Sequence, residues 1–282
     1  MNRHLLFKVA TLLIASLLFS GCNRSGKQNK GTTSDGKEAS VEVGVFDPVK
    51  VKDQIVGIIQ ESPKAIEIVD LLNEAGASYI YEMTIPVEDI EKMLTSTQKA
   101  LGFGMYGFDG KYASVYNRND INLKLVDNLD RLITELGMQE DLSFAKDYAG
   151  RIKENKSNPD SIDFLVTQEL NEYHQFMTTS PKADIYALSI IGANVEALYV
   201  LTQMTLLAKD NTKLLAVMNN QNERVESLAS LMEIMSGDEN VKPYFAGLEP
   251  VIKFFEEKTT ISKEDLNTIA PMIESARNNI LQ

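Results

Sequence analysis

The sequence predicts an all-α fold, a multi-helix bundle or helical superhelix of about ten helices, with an internal echo that suggests two related halves. Three observations carry this: apolar residues recur at helical spacing, capping residues stand before prolines, and strand-like alternation is nearly absent. Asp47-Pro48, Ser62-Pro63, Asn158-Pro159 and Ser180-Pro181 each put a capping side chain ahead of a proline suited to the first helical position. Ser262-Lys263-Glu264-Asp265 reads as a capping box with a shortened partner. Gly76 after IVDLLNEA and Gly137 after NLDRLITEL supply stops. In residues 119–136, Ile121, Leu125, Leu129, Leu132 and Leu136 step by three and four. Residues 159–178 repeat the pattern with Ile162, Leu165, Val166, Leu170, Tyr173 and Met177. Segments 181–208 and 211–236 are long and rich in Ala, Leu and Met, and Pro86 starts a helix running to Leu101. SPKA occurs at both 62–65 and 180–183, and at the same offset of 118 Ala75, Tyr81 and Thr84 match Ala193, Tyr199 and Thr202. That echo is the basis for expecting two halves.

The N-terminus has a different character. Arg3 and Lys8 precede Val9–Phe19, which carries no charge and is too short for a hydrocarbon layer that needs ~20 residues. It therefore reads as a signal-peptide core ending in Leu18-Phe19-Ser20-Gly21-Cys22. Small residues immediately before a cysteine resemble the lipobox of bacterial lipoproteins. The resemblance implies cleavage after Gly21, a diacylglycerol on Cys22 and acylation of the new N-terminus, so that the chain meets the membrane through its lipid. Cys22 is the only cysteine, which excludes an intramolecular disulfide. Residues 22–46 form the lipidated Cys and a polar tether. The run after Cys22, too poor in apolar groups to offset ordering entropy, spans roughly 25 Å. Residues 47–282 form the helical domain. Asn23, in place of Asp, and the lack of an acidic run after Cys22 point to the outer membrane and its periplasmic face.

Charge and inventory exclude several chemistries. Without residues 1–21 the chain has 26 basic and 40 acidic residues, net −14, which disfavours nucleic acid. Beyond the signal peptide, His174 is the only histidine, and with Cys22 lipidated no thiol is free. Cysteine nucleophiles, cysteine zinc sites and two-histidine sites drop out, and neither cofactor nor metal is expected. His174 itself reads as a partly exposed helical residue. Gly21…Gly26-Lys27 and Gly31…Gly36-Lys37 lack the Ser or Thr of a phosphate loop.

Gly102-Phe103-Gly104-Met105-Tyr106-Gly107 spells G-x-G-x-x-G, but no strand leads into it, so a dinucleotide site is not expected. The spacing suggests instead a helix–helix corner where Gly102, Gly104 and Gly107 allow close approach among Phe103, Tyr106, Tyr112 and Tyr116. Asp109 reads as the cap of a helix through Tyr116, or as a polar cluster with Tyr112 and Tyr116. This corner is the first candidate for small-ligand binding, with Glu196 and Tyr199 as second candidates.

LGFGMYGFDGKYASVYNR, LITELGM and IIGANVEALYVLTQ look like segments of an uncharacterised family of helical bacterial lipoproteins, a resemblance covering most of residues 60–235. It implies an envelope location and a helical fold and supplies no catalytic residues. The leading expectation is a lipid-anchored, non-enzymatic binding or scaffold domain with an envelope protein partner. A small-ligand binder using the Gly/aromatic corner is the alternative, and a carboxylate-dependent glycan enzyme is a more remote one.

Overall fold

A computed structural model describes residues 48–282 except 141, 143–147 and 156; the expected signal peptide, Cys22 and the expected tether lie outside the described residues. Eleven α-helices and two 3₁₀ turns make up the described chain, and no strand occurs among the described residues. The helices are α1 Pro48–Glu61, α2 Glu67–Glu74, α3 Ser96–Val115, α4 Asn119–Glu135, α5 Tyr148–Glu154 and α6 Pro159–Thr179. They continue as α7 Ala183–Leu207, α8 Thr212–Asn219, α9 Asn222–Met235, α10 Lys242–Glu257 and α11 Lys263–Leu281. The all-α expectation is met.

α7 is the hub. Its sequence is apolar nearly all round, and a helix of that kind must be covered on every side. α3 packs along its length, and α1, α9 and α11 cover much of the rest. α7 is long and apolar enough to cross a membrane by composition, yet most of it is buried in the protein.

Most of the predicted boundaries hold. The Ser262 box is formed: Ser262 Oγ accepts from Asp265 N at 3.2 Å, and Asp265 Oδ2 accepts from Ser262 N at 2.9 Å. Gly76 and Gly137 have φ of +81° and +66° and close α2 and α4 with bonds Ala77 N to Leu72 O and Met138 N to Ile133 O.

Several expectations are corrected. Ser62 and Ser180 do not start helices. Ser62 Oγ donates back to Ile58 O at 2.6 Å and finishes α1, while Pro63 O accepts from Arg224 at 2.8 Å. Ser180 Oγ accepts from Lys182 N at 3.2 Å in the link ahead of α7. Pro86 starts only the 3₁₀ turn Val87–Lys92, and a Thr95–Gln98 capping box begins α3 afresh. Segment 211–236 is broken at Asn220-Gln221 into α8 and α9. The two SPKA segments fold differently: residues 62–84 form links, α2 and a 3₁₀ turn, whereas 183–202 are continuous helix. The matched residues therefore occupy unlike places.

Among the described residues two apolar cores are present. The main one surrounds α3 and α7. A satellite core of Val126, Tyr148, Ile152, Ile162 and Val166 joins α4, α5 and α6.

Candidate functional site

The predicted helix corner is instead the middle of a single helix, because α3 runs unbroken through all of its glycines. Only the close approach survives. A Cβ on Gly104 would lie 2.6 Å from the carbonyl carbon of Ser189, and nearer still to its oxygen. On α7, a Cβ on Gly192 would lie 2.7 Å from the Leu101 carbonyl carbon. These two glycines let the backbones of α3 and α7 touch. Gly102 faces elsewhere, its space filled by the Met93 thioether.

Beside that contact the packing opens. A cavity of about 130 Å³ lies along the glycine face of α3, at the seam between the two cores. Phe103, Gly104, Gly107 and Phe108 of α3 line it, with Leu125, Val126 and Leu129 of α4. α6 contributes Val166, Glu169, Leu170, Tyr173 and His174, the i, i+3, i+4, i+7, i+8 face of one helix. At Gly107 a Cβ would meet only Leu170 Cδ2, at 3.5 Å. The absence of a side chain there leaves the cavity its width.

α6 is fastened over α3 by a buried lysine. Lys111 Nζ donates to Asp163 Oδ1 at 2.9 Å and to Thr167 Oγ1 at 3.1 Å, and pairs with Asp70 of α2 at 3.4 Å. Ser114 Oγ donates to the same Asp163 oxygen at 2.7 Å.

Few polar groups line the cavity, and two of them are titratable side chains of α6, Glu169 and His174. Glu169 accepts from Arg151 Nη2 at 2.9 Å through Oε2, while Oε1 is buried with no hydrogen-bond partner among the described residues. Burial, helped by Glu172 and Asp130 and opposed by Arg151, pushes the Glu169 carboxyl up to about 7. His174 Nδ1 is hydrogen-bonded to the Tyr186 hydroxyl, and burial with nearby Lys64 lowers the imidazole pKa. Tyr173 meets Ser189 Oγ at 3.0 Å. His174 is half-buried on a helix, as expected, and faces the cavity.

The remaining predicted residues occupy a different face of α3. Asp109 is not a cap. It is fully buried mid-helix, and its Oδ2 accepts from Ile85 N at 2.8 Å. Tyr106 donates to Pro86 O at 3.2 Å, and the Tyr112 hydroxyl accepts from Ile80 N at 3.0 Å. These side chains satisfy the backbone of the irregular link before α3, whose polar groups have no helix to bond within. Tyr112 and Tyr116 form an aromatic cluster with Tyr79, at centroid distances of 4.7 Å for Tyr79–Tyr112 and 5.3 Å for Tyr112–Tyr116.

Asp109 and Glu196 belong to one buried ionic cluster with a residue that sequence reasoning missed, Arg277. Its Nε and Nη2 donate to Glu196 Oε2 and Oε1 at 2.7 and 2.8 Å, and its guanidinium lies 4.2 Å from the Tyr199 ring centroid. Burial raises both carboxyls. At Glu196 the guanidinium counters the rise, whereas Asp109 also feels the Glu196 charge and is held well above the carboxylate range. Glu196 and Tyr199 therefore join Asp109 and stand apart from the cavity, so that of the predicted ligand residues only Gly104 and Gly107 line it. Glu169, Asp130, Tyr148 and Arg151 were not anticipated. Arg277 had one signal, a charge on the apolar stripe Ile269, Ile273, Ala276 and Ile280 of α11.

No protein-family model, curated protein or solved structure matches the chain.

Proposed function

We propose that the chain is a lipid-anchored cell-envelope protein whose helical domain holds a small apolar ligand without transforming it. The observation carrying this reading is the cavity of about 130 Å³ between α3 and α6, walled mostly by aliphatic, aromatic and glycine residues with few polar groups among them. An apolar cavity of roughly 150 Å³ accommodates a benzene-sized ring, so the body of the ligand is of that order. The anchoring part of the reading is supported by the LFSGC motif and the polar stretch after it.

Gly107→Leu tests the binding site. The side chain has room to enter the cavity and raises helix propensity by about 1 kcal/mol over glycine. The unliganded variant should melt at or above the wild-type temperature. Toluene at about a hundred times its dissociation constant should stabilise the wild type by roughly 2.7 kcal/mol and the variant not at all. Equal toluene shifts in both proteins would count against the site.

Cys22→Ser tests the anchor. The variant should leave the membrane fraction for the soluble fraction on cell fractionation; unchanged membrane retention would remove the lipid from the proposal.

A further inference from the structure

We infer that the ligand of this cavity is a monocationic amine, an ammonium on a small apolar body, with its head between Glu169, Asp130 and Tyr148. This rests on the cavity reading above and assigns it a chemical class. Glu169 is 12% exposed and reaches the lining from α6. Arg151 satisfies one of its oxygens, and the other, Oε1, is buried without a hydrogen bond among the described residues. A buried acceptor left unmet costs about 1–3 kcal/mol, more when charged, so a donor supplied by a ligand is strongly favoured there.

Three neighbours choose the kind of donor. Asp130 brings a second carboxylate to the lining from α4. Tyr148 brings a buried aromatic ring from α5, whose face attracts cations and already has Arg151 6.0 Å from its centroid. Glu172 adds negative potential from α6 itself. Against Glu169, Asp130, Glu172 and Asp127 stand the guanidinium of Arg151 and the ammonium of Lys153, which acts on Asp130, so the surroundings of Glu169 are net negative among the described residues. A carboxylate head would be repelled. A hydroxyl could donate once to Oε1 and would gain no ion-pair attraction, whereas an ammonium brings three N–H donors and a charge. The one lysine of the lining, Lys64, acts on His174 and is absent from the charges that act on Glu169, which orients the cation toward Glu169. Leu125, Val126, Leu129 and Val166 cover the apolar body.

The experiment compares hexylamine, hexan-1-ol and hexanoate for binding to the full chain by calorimetry. Hexylamine should bind at least tenfold tighter than hexanol, and hexanoate weakest. Glu169→Gln should abolish the preference for the amine, bringing hexylamine down to the affinity of hexanol. Wild-type protein supplies a second measurement that needs no variant. Tyr148 of α5 faces Glu169, and burial, raised further by Glu172 and Asp130 and opposed by Arg151, places its carboxyl at about 7. An ammonium requires the ionised form, so hexylamine affinity should rise about tenfold from pH 6 to pH 8 while hexanol affinity stays flat. Hexanol binding as tightly as hexylamine, a preference that survives Glu169→Gln, or a flat pH series for hexylamine would overturn the amine assignment and leave the cavity standing. Failure of all three probes to bind would overturn the cavity reading and the assignment with it.

Discussion

Gly104→Ala should destabilise the domain by roughly 3 kcal/mol or more, while Gly107→Ala, three residues along the same helix, should stabilise it by about 1 kcal/mol. The added atom is the same and its surroundings are opposite. At Gly104 the new methyl meets the carbonyl group of Ser189 and, at 2.9 Å, the amide nitrogen of Ala193, both backbone atoms that cannot rotate away. α3 and α7 would have to separate, and their separation loosens the interface at the centre of the main core. At Gly107 the methyl finds only Leu170 at ordinary contact distance and removes the entropic handicap of a helical glycine. Thermal unfolding followed by circular dichroism decides the matter. Similar melting temperatures for the two variants would refute the close α3–α7 contact.

Arg277→Met should cost about 3–5 kcal/mol, because it leaves Glu196 buried and unpaired beside Asp109. The loss should depend on pH in a definite direction. Without the guanidinium both carboxyls are pushed further above their unfolded values, so the folded state binds protons more avidly than the unfolded one. Stability then falls as pH rises from the unfolded carboxylate range toward the raised folded values. The variant should accordingly recover part of its deficit in mild acid, measured as the denaturant midpoint at pH 5 against pH 7.5. A deficit that is the same at both pH values would show that Arg277 acts through packing alone.

The fold class was legible because helices advertise themselves locally, through the apolar steps of 119–136, the Ser262 box and the glycine stops. The glycine segment was misread for a physical reason. Three glycines within six residues weaken an isolated helix by close to 1 kcal/mol each, which argues for a turn. Contact with α7, far away in sequence, overrides that cost, and nothing near residue 104 announces it. The Thr95–Gln98 box was present in the sequence and would have placed the start of α3. The Glu196–Arg277 pair spans 81 residues, and the Glu169 environment draws on α4, α5 and α6, so neither follows from local spacing.

The division of the interior into two cores has a consequence for cooperativity. The satellite core contains five buried side chains, and the cavity interrupts its packing against the rest. Lys111, with its bonds to Asp163 and Thr167, and the Phe103–Tyr173 ring contact at 5.0 Å are what connect α6 to α3 beside the cavity. The α5–α6 unit is poised to open as a separate foldon, with slowly exchanging amides in α3 and α7 and faster ones in α6. An apolar body filling the seam would supply the contacts that the chain leaves unmade there. Occupancy would then merge two folding units into one, so that such a body would complete the protein's interior.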